Sequence, residues 1–197
     1  MFDDYMLDEN DIYCITRKDL IDYGIQFLDG VGSYSICKVC IKNGGSCCNF
    51  CSHLKNGVGC QSRNISCTSW LCGYLKLLFY SAGLLKGWNA LWDEVPGIDF
   101  RKDYTPPLIK MKVHLHLEVP RLKELGEALA ADLKSKLSRD EDNLDFIVLK
   151  EDLDDLIDEI HFAENSTVAS FYKRRLDHIL KDFTEFRRSV IRMKLQN

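Results

Sequence analysis

The order of apolar and polar positions divides the chain into helical stretches, one alternating stretch and one stretch with no apolar period. Leu20, Ile21, Gly24, Phe27 and Leu28 recur at helical spacing behind Thr16, whose hydroxyl suits an N-cap, and Asp29-Gly30 ends that segment near residue 28. Trp70, Leu71, Tyr74, Leu75, Leu78 and Phe79 predict a helix over 67–85, closed by Gly83. Its aromatic stripe (Trp70, Tyr74, Phe79, Tyr80, then Trp88 and Trp92) reads as core. Ile109, Met111, Val113, Leu115 and Leu117 alternate with Lys110, Lys112, His114, His116 and Glu118, the period of a strand with one wet face. Pro120 opens a helix to about residue 137, with Leu122, Leu125, Ala128, Leu129 and Leu133 as its stripe. Residues 144–149 read as a second short strand, and the helix after it turns Leu153, Leu156, Ile157 and Ile160 inward. Asn165-Ser166-Thr167 then caps a last helix, whose stripe from Val168 and Phe171 through Phe183, Phe186 and Met193 holds for about seven turns.

These elements predict a mostly helical α+β fold: a small cysteine-rich, metal-bound loop region, flanking helices, a short two-strand element and a long C-terminal helix. Thr105-Pro106-Pro107 reads as a stiff linker, so a cysteine-bearing domain is expected over 1–105 and a helical domain over 106–197. Residues 1–15 are acidic and expected to be loosely held, with Tyr5, Met6, Leu7, Ile12 and Tyr13 able to pack locally. Cys14, between Tyr13 and Ile15, reads as an apolar buried thiol rather than a ligand.

The stretch without a period, residues 37–72, holds eight of the nine cysteines: Cys37, Cys40, Cys47, Cys48, Cys51, Cys60, Cys67 and Cys72. Their spacing is C-x2-C-x6-C-C-x2-C-x8-C-x6-C-x4-C. Two C-x2-C pairs put thiolates on either side of tight turns, where two sulfurs can converge on one ion. Gly44-Gly45, Gly57 and Gly59 supply backbone freedom, and little in the window could build an ordinary core, so bound metal is expected to hold it together. Disulfides are the main alternative; they need an oxidising compartment, and the acidic start MFDDYMLDEN shows no basic-then-apolar leader. Soft all-sulfur sites select zinc or iron–sulfur clusters. Eight sulfurs could hold two zinc ions, a single iron–sulfur cluster with cysteines to spare, or two clusters, [4Fe–4S] being the first expectation. The adjacent Cys47 and Cys48 favour a polynuclear site or two sites sharing a wall. His53 is read as an outer hydrogen-bond donor or a solvated side chain, and the His114/His116 pair, with no third ligand near in sequence, as solvated or structural.

The runs Cys51-Ser-His-Leu54, Gly57-Val-Gly-Cys60 and Arg63-Asn-Ile-Ser-Cys67-Thr-Ser-Trp-Leu-Cys72 resemble the YkgJ-type domain, described as a zinc- or iron-chelating domain. The family's double cysteine corresponds to Cys47-Cys48 and its final C-x4-C to Cys67 and Cys72. Two departures stand out: six residues separate Cys40 from Cys47, and Asn64 stands where the family has proline. The resemblance implies metal binding over residues 37–72 and says nothing of the rest. Some proteins with this domain are linked to lysine methylation, but no methyl-donor motif accompanies it here.

Composition adds limits. Apolar residues make up 46% of the chain and charged ones 28%, enough for a conventional core outside the cysteine region. The net charge of −4 offers no global attraction to nucleic acid or an anionic membrane, and no apolar run approaches the ~20 residues of a bilayer span. The expectation is a soluble cytoplasmic protein. Charge is unevenly spread: residues 139–164 carry eleven Asp/Glu against two basic residues, and 168–197 carry eight Lys/Arg against three acids. One reading is a terminal helix with a basic face (Arg174, Arg175, Arg187, Arg188) that docks a protein partner or nucleic acid; the other is two antiparallel helices whose charges face each other. The segment 140–145 lacks the glycine and final glutamate of an EF-hand loop. No GxSxG, phosphate loop, GxGxxG or HExxH occurs, so enzymatic activity is left open. Two function classes follow: a redox, sensing or enzymatic protein built on an iron–sulfur cluster, and a zinc-stabilised module that binds protein or nucleic acid.

Overall fold

The computed structural model describes residues 12–45, 47, 51–55, 57–99, 102–112, 117–138 and 143–196. Cys48, His114, His116, the EF-hand-like residues 140–142 and Tyr5, Met6 and Leu7 lie outside them. The fold is mostly helical with small antiparallel strand pairs, as the periodicities predict.

Strand β1 (Ile12–Thr16) leads directly into helix α1 (Arg17–Gly30), where Thr16 Oγ1 accepts from the Asp19 N–H at 3.1 Å as N-cap. Leu20, Gly24, Phe27 and Leu28 form the buried face, as their spacing requires. β1 pairs antiparallel with β6 (Leu108–Lys112), placing Tyr13 opposite Met111 and Ile15 opposite Ile109. The alternation in β6 is as expected, with Ile109 and Met111 buried and Leu108, Lys110 and Lys112 outward. The same alternation overturns the expectation for Cys14, which is exposed opposite Lys110. The partner of β6 is β1 and not residues 144–149: those belong to helix α7 (Asn143–His161). A short apolar run such as Phe146 to Leu149 does not reveal its period by itself. Packing decides for helix, because Phe146, Leu149, Leu153, Leu156 and Ile160 then all face the core.

Helix α2 (Ser33–Lys42) and the hairpin of β2 (Leu54–Lys55) with β3 (Gly59–Cys60) precede the short helix α3 (Ile65–Ser69). Helices α4 (Gly73–Ser81) and α5 (Leu85–Asp93) and the hairpin of β4 (Ile98–Asp99) with β5 (Lys102–Asp103) complete the first half. Helix α6 (Lys123–Leu137) starts three residues after Pro120, and α7 and α8 (Ser166–Ile179) follow. Packing runs across Thr105-Pro106-Pro107: α2 lies on α6, α4 on α7, and β1 pairs with β6, around one hydrophobic core. At its centre Phe27, Phe79 and Trp88 meet with ring centroids 5.0–5.7 Å apart. Of the expected aromatic stripe, Tyr74, Phe79, Trp88 and Trp92 are buried, whereas Trp70 is 39% exposed. The α1–α2 corner is held by backbone: Leu122 N–H donates to the Gly30 carbonyl at 2.8 Å, and a Cβ at Gly126 would stand 2.5 Å from the Gly32 and Val31 oxygens.

The expected terminal helix is a helical run from Ser166 to Gln196 with an interruption. After α8, Leu180–Asp182 form a 3-10 turn, and α9 (Thr184–Gln196) starts anew. Leu180, Phe183 and Phe186 are all buried across this break, and α9 packs on α6. Asp132, buried on α6, accepts from the N–H groups of Glu185 (3.3 Å) and Phe186 (2.8 Å), so the first turn of α9 is capped from another helix. Asp132→Ala leaves the buried Phe186 N–H unpaired and is expected to cost about 1–3 kcal/mol. The denaturation midpoint followed by circular dichroism checks it; an unchanged midpoint would show that the cap is dispensable.

Candidate metal centre

Cys37 and Cys40 sit three residues apart on the last turns of α2 and therefore share one face. Beyond α2 the chain doubles back over Cys40: the N–H groups of Asn43 and Gly45 both donate to the Cys40 carbonyl, at 3.1 and 2.9 Å. Gly44 takes the left-handed conformation that this reversal needs (φ 80°), and a Cβ at Gly45 would collide with Cys40 Sγ. Cys47 is thereby returned to the α2 cysteines. As a residue it is open to solvent, but its thiol shares a hydrogen bond with that of Cys72.

The single helix expected over 67–85 is two helices. Asn64 Oδ1 accepts from the Cys67 N–H at 2.8 Å and caps α3. Trp70, Leu71 and Cys72 are non-helical, and α4 begins at Gly73 with Cys72 as its N-cap residue. Five residues of helix would have put Cys67 and Cys72 on different faces; the break lets both line one cavity. The Cys72 side chain makes no capping bond, so its sulfur is left for other partners beside the N–H groups of the first turn. Gly73 is required here, because a Cβ would collide with the Lys150 carbonyl of α7.

The cavity has a volume of about 960 Å3 and is lined by seven cysteines: Cys37, Cys40, Cys47, Cys51, Cys60, Cys67 and Cys72. Seven of the eight expected ligands thus come to one place, and the eighth, Cys48, is outside the described residues. All eight described cysteines, Cys14 included, are free thiols. Among the described residues, no three His, Cys, Asp or Glu side chains converge on one point as they stand. Rotation about χ1 moves a thiol between staggered positions, and the donors are soft sulfurs lining one cavity, a donor type that fits zinc or iron–sulfur chemistry. Burial, with the neighbouring Cys47 and Cys40, pushes the Cys37 thiol up to about 12; Arg63 opposes it. Burial and Cys47 push Cys40 to about 11. The hydrogen bond with Cys72, then burial, raises Cys47. Without a cation these thiols stay neutral.

Several residues that the sequence did not single out complete the site. Arg63 and Lys150 line it and bring positive charge to the thiols, Arg63 towards Cys37 and Cys47 and Lys150 towards Cys40 and Cys47. Lys76, 17% exposed, lies 2.8 Å from Asp154 Oδ1 and 2.6 Å from Asp158 Oδ2. Burial by itself would discharge Lys76, but the two carboxylates hold its ammonium above the usual range. A lysine between Leu75 and Leu77 on an apolar helix was the available signal. Tyr74, whose hydroxyl donates to the Phe146 carbonyl at 2.5 Å, backs the Cys40–Cys72 side. The expected basic face divides: Arg174 and Arg175 are exposed on α8, and Arg187 and Arg188 on α9, where Arg188 pairs with Glu185 at 2.8 Å. His53 is exposed and does not line the cavity.

Asp103 fixes α3 and with it Cys67. Its carboxylate accepts from the N–H groups of Ile65 and Thr105, both at 3.0 Å, and Ser66 Oγ donates to the Lys102 carbonyl. Burial opposes ionisation of Asp103, but these hydrogen bonds outweigh it and hold the carboxyl below the usual carboxylate range. A depressed folded pKa contributes stability that is present above the unfolded value near ~4 and lost as pH falls through the folded one. Asp103→Asn is therefore expected to be less stable than the native protein at neutral pH and to lose less on acidification below about pH 4. Urea midpoints between neutral and acid pH check it; parallel curves would assign Asp103 no part in the acid response.

Comparison with known protein families, with curated proteins and with solved structures finds no match to this chain.

Proposed function

We propose that the cysteine-lined cavity holds an iron–sulfur cluster, of [4Fe–4S] type, and that the protein works in redox, sensing or enzymatic chemistry at that centre. The carrying observation is that thiols from α2, the loop after it, the β2–β3 hairpin, α3 and the start of α4 line a single cavity. Nothing in ordinary core packing requires seven thiols to meet there. The sulfurs outnumber the four that one zinc takes, and the cavity is larger than a mononuclear site needs. The resemblance of the cysteine spacing to YkgJ-type domains supports the same chemistry. A bound cluster would supply one-electron transfer or a Lewis-acidic iron. The protein's own part is to bind it through thiolates, to face it with Arg63, Lys150 and the N-terminal end of α4, and to keep water from the Cys40–Cys72 side. Free thiols and such a centre belong in a reducing compartment, for which we propose the cytoplasm. No helix among the described residues is long and apolar enough to cross a membrane.

A second reading has the thiols hold two zinc ions for structure alone, with a protein partner, or nucleic acid, docking on the exposed arginines Arg174, Arg175, Arg187 and Arg188. Anaerobic purification, an absorption spectrum and elemental analysis on one sample decide. Broad visible absorption with iron and acid-labile sulfide is the expected result. A colourless protein with about two zinc ions per chain favours the second reading. A sample with neither metal overturns both.

A further inference from the structure

The cysteines account for one part of the cavity; another part is built by the end of α3, Trp70 and α5. Leu85, Trp88, Asn89, Trp92 and Asp93 all line it and recur at the spacing of a single helix face. Trp88 is fixed there: its Nε1–H donates to the Ser69 carbonyl of α3 at 2.8 Å, and its ring meets that of Trp92 edge-on with centroids 5.3 Å apart. Trp70, in the non-helical link between α3 and α4, lines the same cavity and is 39% exposed, so one indole stands open to whatever enters. The wall is apolar, aromatic and formed in advance. Two positions interrupt it. Asn89, half-buried, and Asp93, exposed, lie one turn apart on the α5 face, and neither has a hydrogen-bond or ion-pair partner among the described residues. At about 960 Å3 the cavity is at the upper end of the roughly 300–1,000 Å3 that holds small organic ligands.

We propose that this part of the cavity binds a small organic cation, an amine carried on an apolar, aromatic-sized body. The body lies against Trp70 and the α5 stripe. Its ammonium donates to the Asn89 side-chain carbonyl and the Asp93 carboxylate, and the indole face of Trp70 attracts the same charge. The sign of the ligand follows from the lining: α5 and β4 contribute Asp93 and Asp99 and no cation, while Arg63, Lys76 and Lys150 come from other elements. Because Trp88 and Trp92 are held by the core beforehand, little ordering is spent when the ligand enters. The site goes beyond the metal-binding reading and needs no cysteine as a ligand.

Isothermal titration calorimetry of the full-length protein, as purified, with phenethylamine tests this, with uncharged phenethyl alcohol and anionic hydrocinnamate as comparators. All three tryptophans of the chain line the cavity, so their fluorescence reports whether the probe is there. The native protein is expected to take one phenethylamine per chain with a change in that emission, about tenfold or more tighter than the alcohol, and to bind hydrocinnamate more weakly still. Asp93→Asn is expected to weaken phenethylamine about tenfold and leave the alcohol unchanged; Trp70→Ala is expected to weaken both. Both positions are outside the core, and circular dichroism confirms that the variants are folded. No saturable phenethylamine binding, or binding that both variants leave at native strength, overturns the site. Equal affinity for the amine and the alcohol overturns the ammonium assignment. Metal analysis of the same sample scores the metal reading separately: a metal-free protein that binds the amine as expected keeps this site and overturns that reading, and an iron–sulfur protein that ignores the amine does the reverse.

Discussion

Residue 73 has no side chain, and the arrangement around the cavity depends on that. The start of α4 rests on the backbone of α7 so closely that a Cβ at Gly73 would collide with the Lys150 carbonyl and stand 2.7 Å from the Asp154 amide. This contact sets the register between the two helices. Lys150, Asp154 and Asp158 recur every four residues along α7 and so face α4 together. Lys150 meets the thiol end, beside Cys40 and Cys47, and Asp154 and Asp158 meet Lys76 one turn further along. A side chain at 73 would push α4 outward and disturb the cysteine position and the ion pairs at once.

The two parts of the molecule are stabilised by different means. The helical body has a continuous apolar core, with the ring contacts of Phe27, Phe79 and Trp88 adding about 0.5–1.5 kcal/mol each beyond their area. The segment from Asn43 to Arg63 offers little comparable among its described residues: their regular structure is a hairpin of two-residue strands, and Gly59 alone of them is buried. A structural zinc contributes about 10–16 kcal/mol of apparent binding free energy, enough to order a loop of this kind. On the proposed reading the metal joins the segment after α2 to α2 and α4, and the core holds those two helices in place beforehand. Binding then costs less ordering entropy than in a peptide that folds only around its ion.

The charge asymmetry along the second half finds a partly internal explanation. Acids of α7 are engaged by Lys76 on α4, and Asp132 of α6 is engaged by the first turn of α9. Tyr172 on α8 is held up by Glu159 of α7, across the seam between those helices. The arginines of α8 and α9 are outward on two separate helices, because the turn at Leu180–Asp182 resets the direction of the stripe.

The sequence by itself determined the helical class, the capped starts at Thr16 and Asn165, the alternating strand at Ile109 and Met111, and the concentration of thiols in one window. Each of these is a local property: a period, a cap or a spacing is complete within one segment. What needed the tertiary structure was every feature decided by a distant partner. The run at 144–149 is helical because Phe146 packs on Tyr74, 72 positions earlier, with ring centroids 5.0 Å apart. Cys14 is exposed because β1 pairs with β6, a pairing over roughly a hundred residues that no local pattern encodes. The breaks before Cys72 and after Ile179 likewise have external causes, the first in the backbone contact at Gly73 and the second in Asp132. Cys37 and Cys72 stand 35 positions apart in sequence, and they line one cavity only because α2, its reversal and α4 meet.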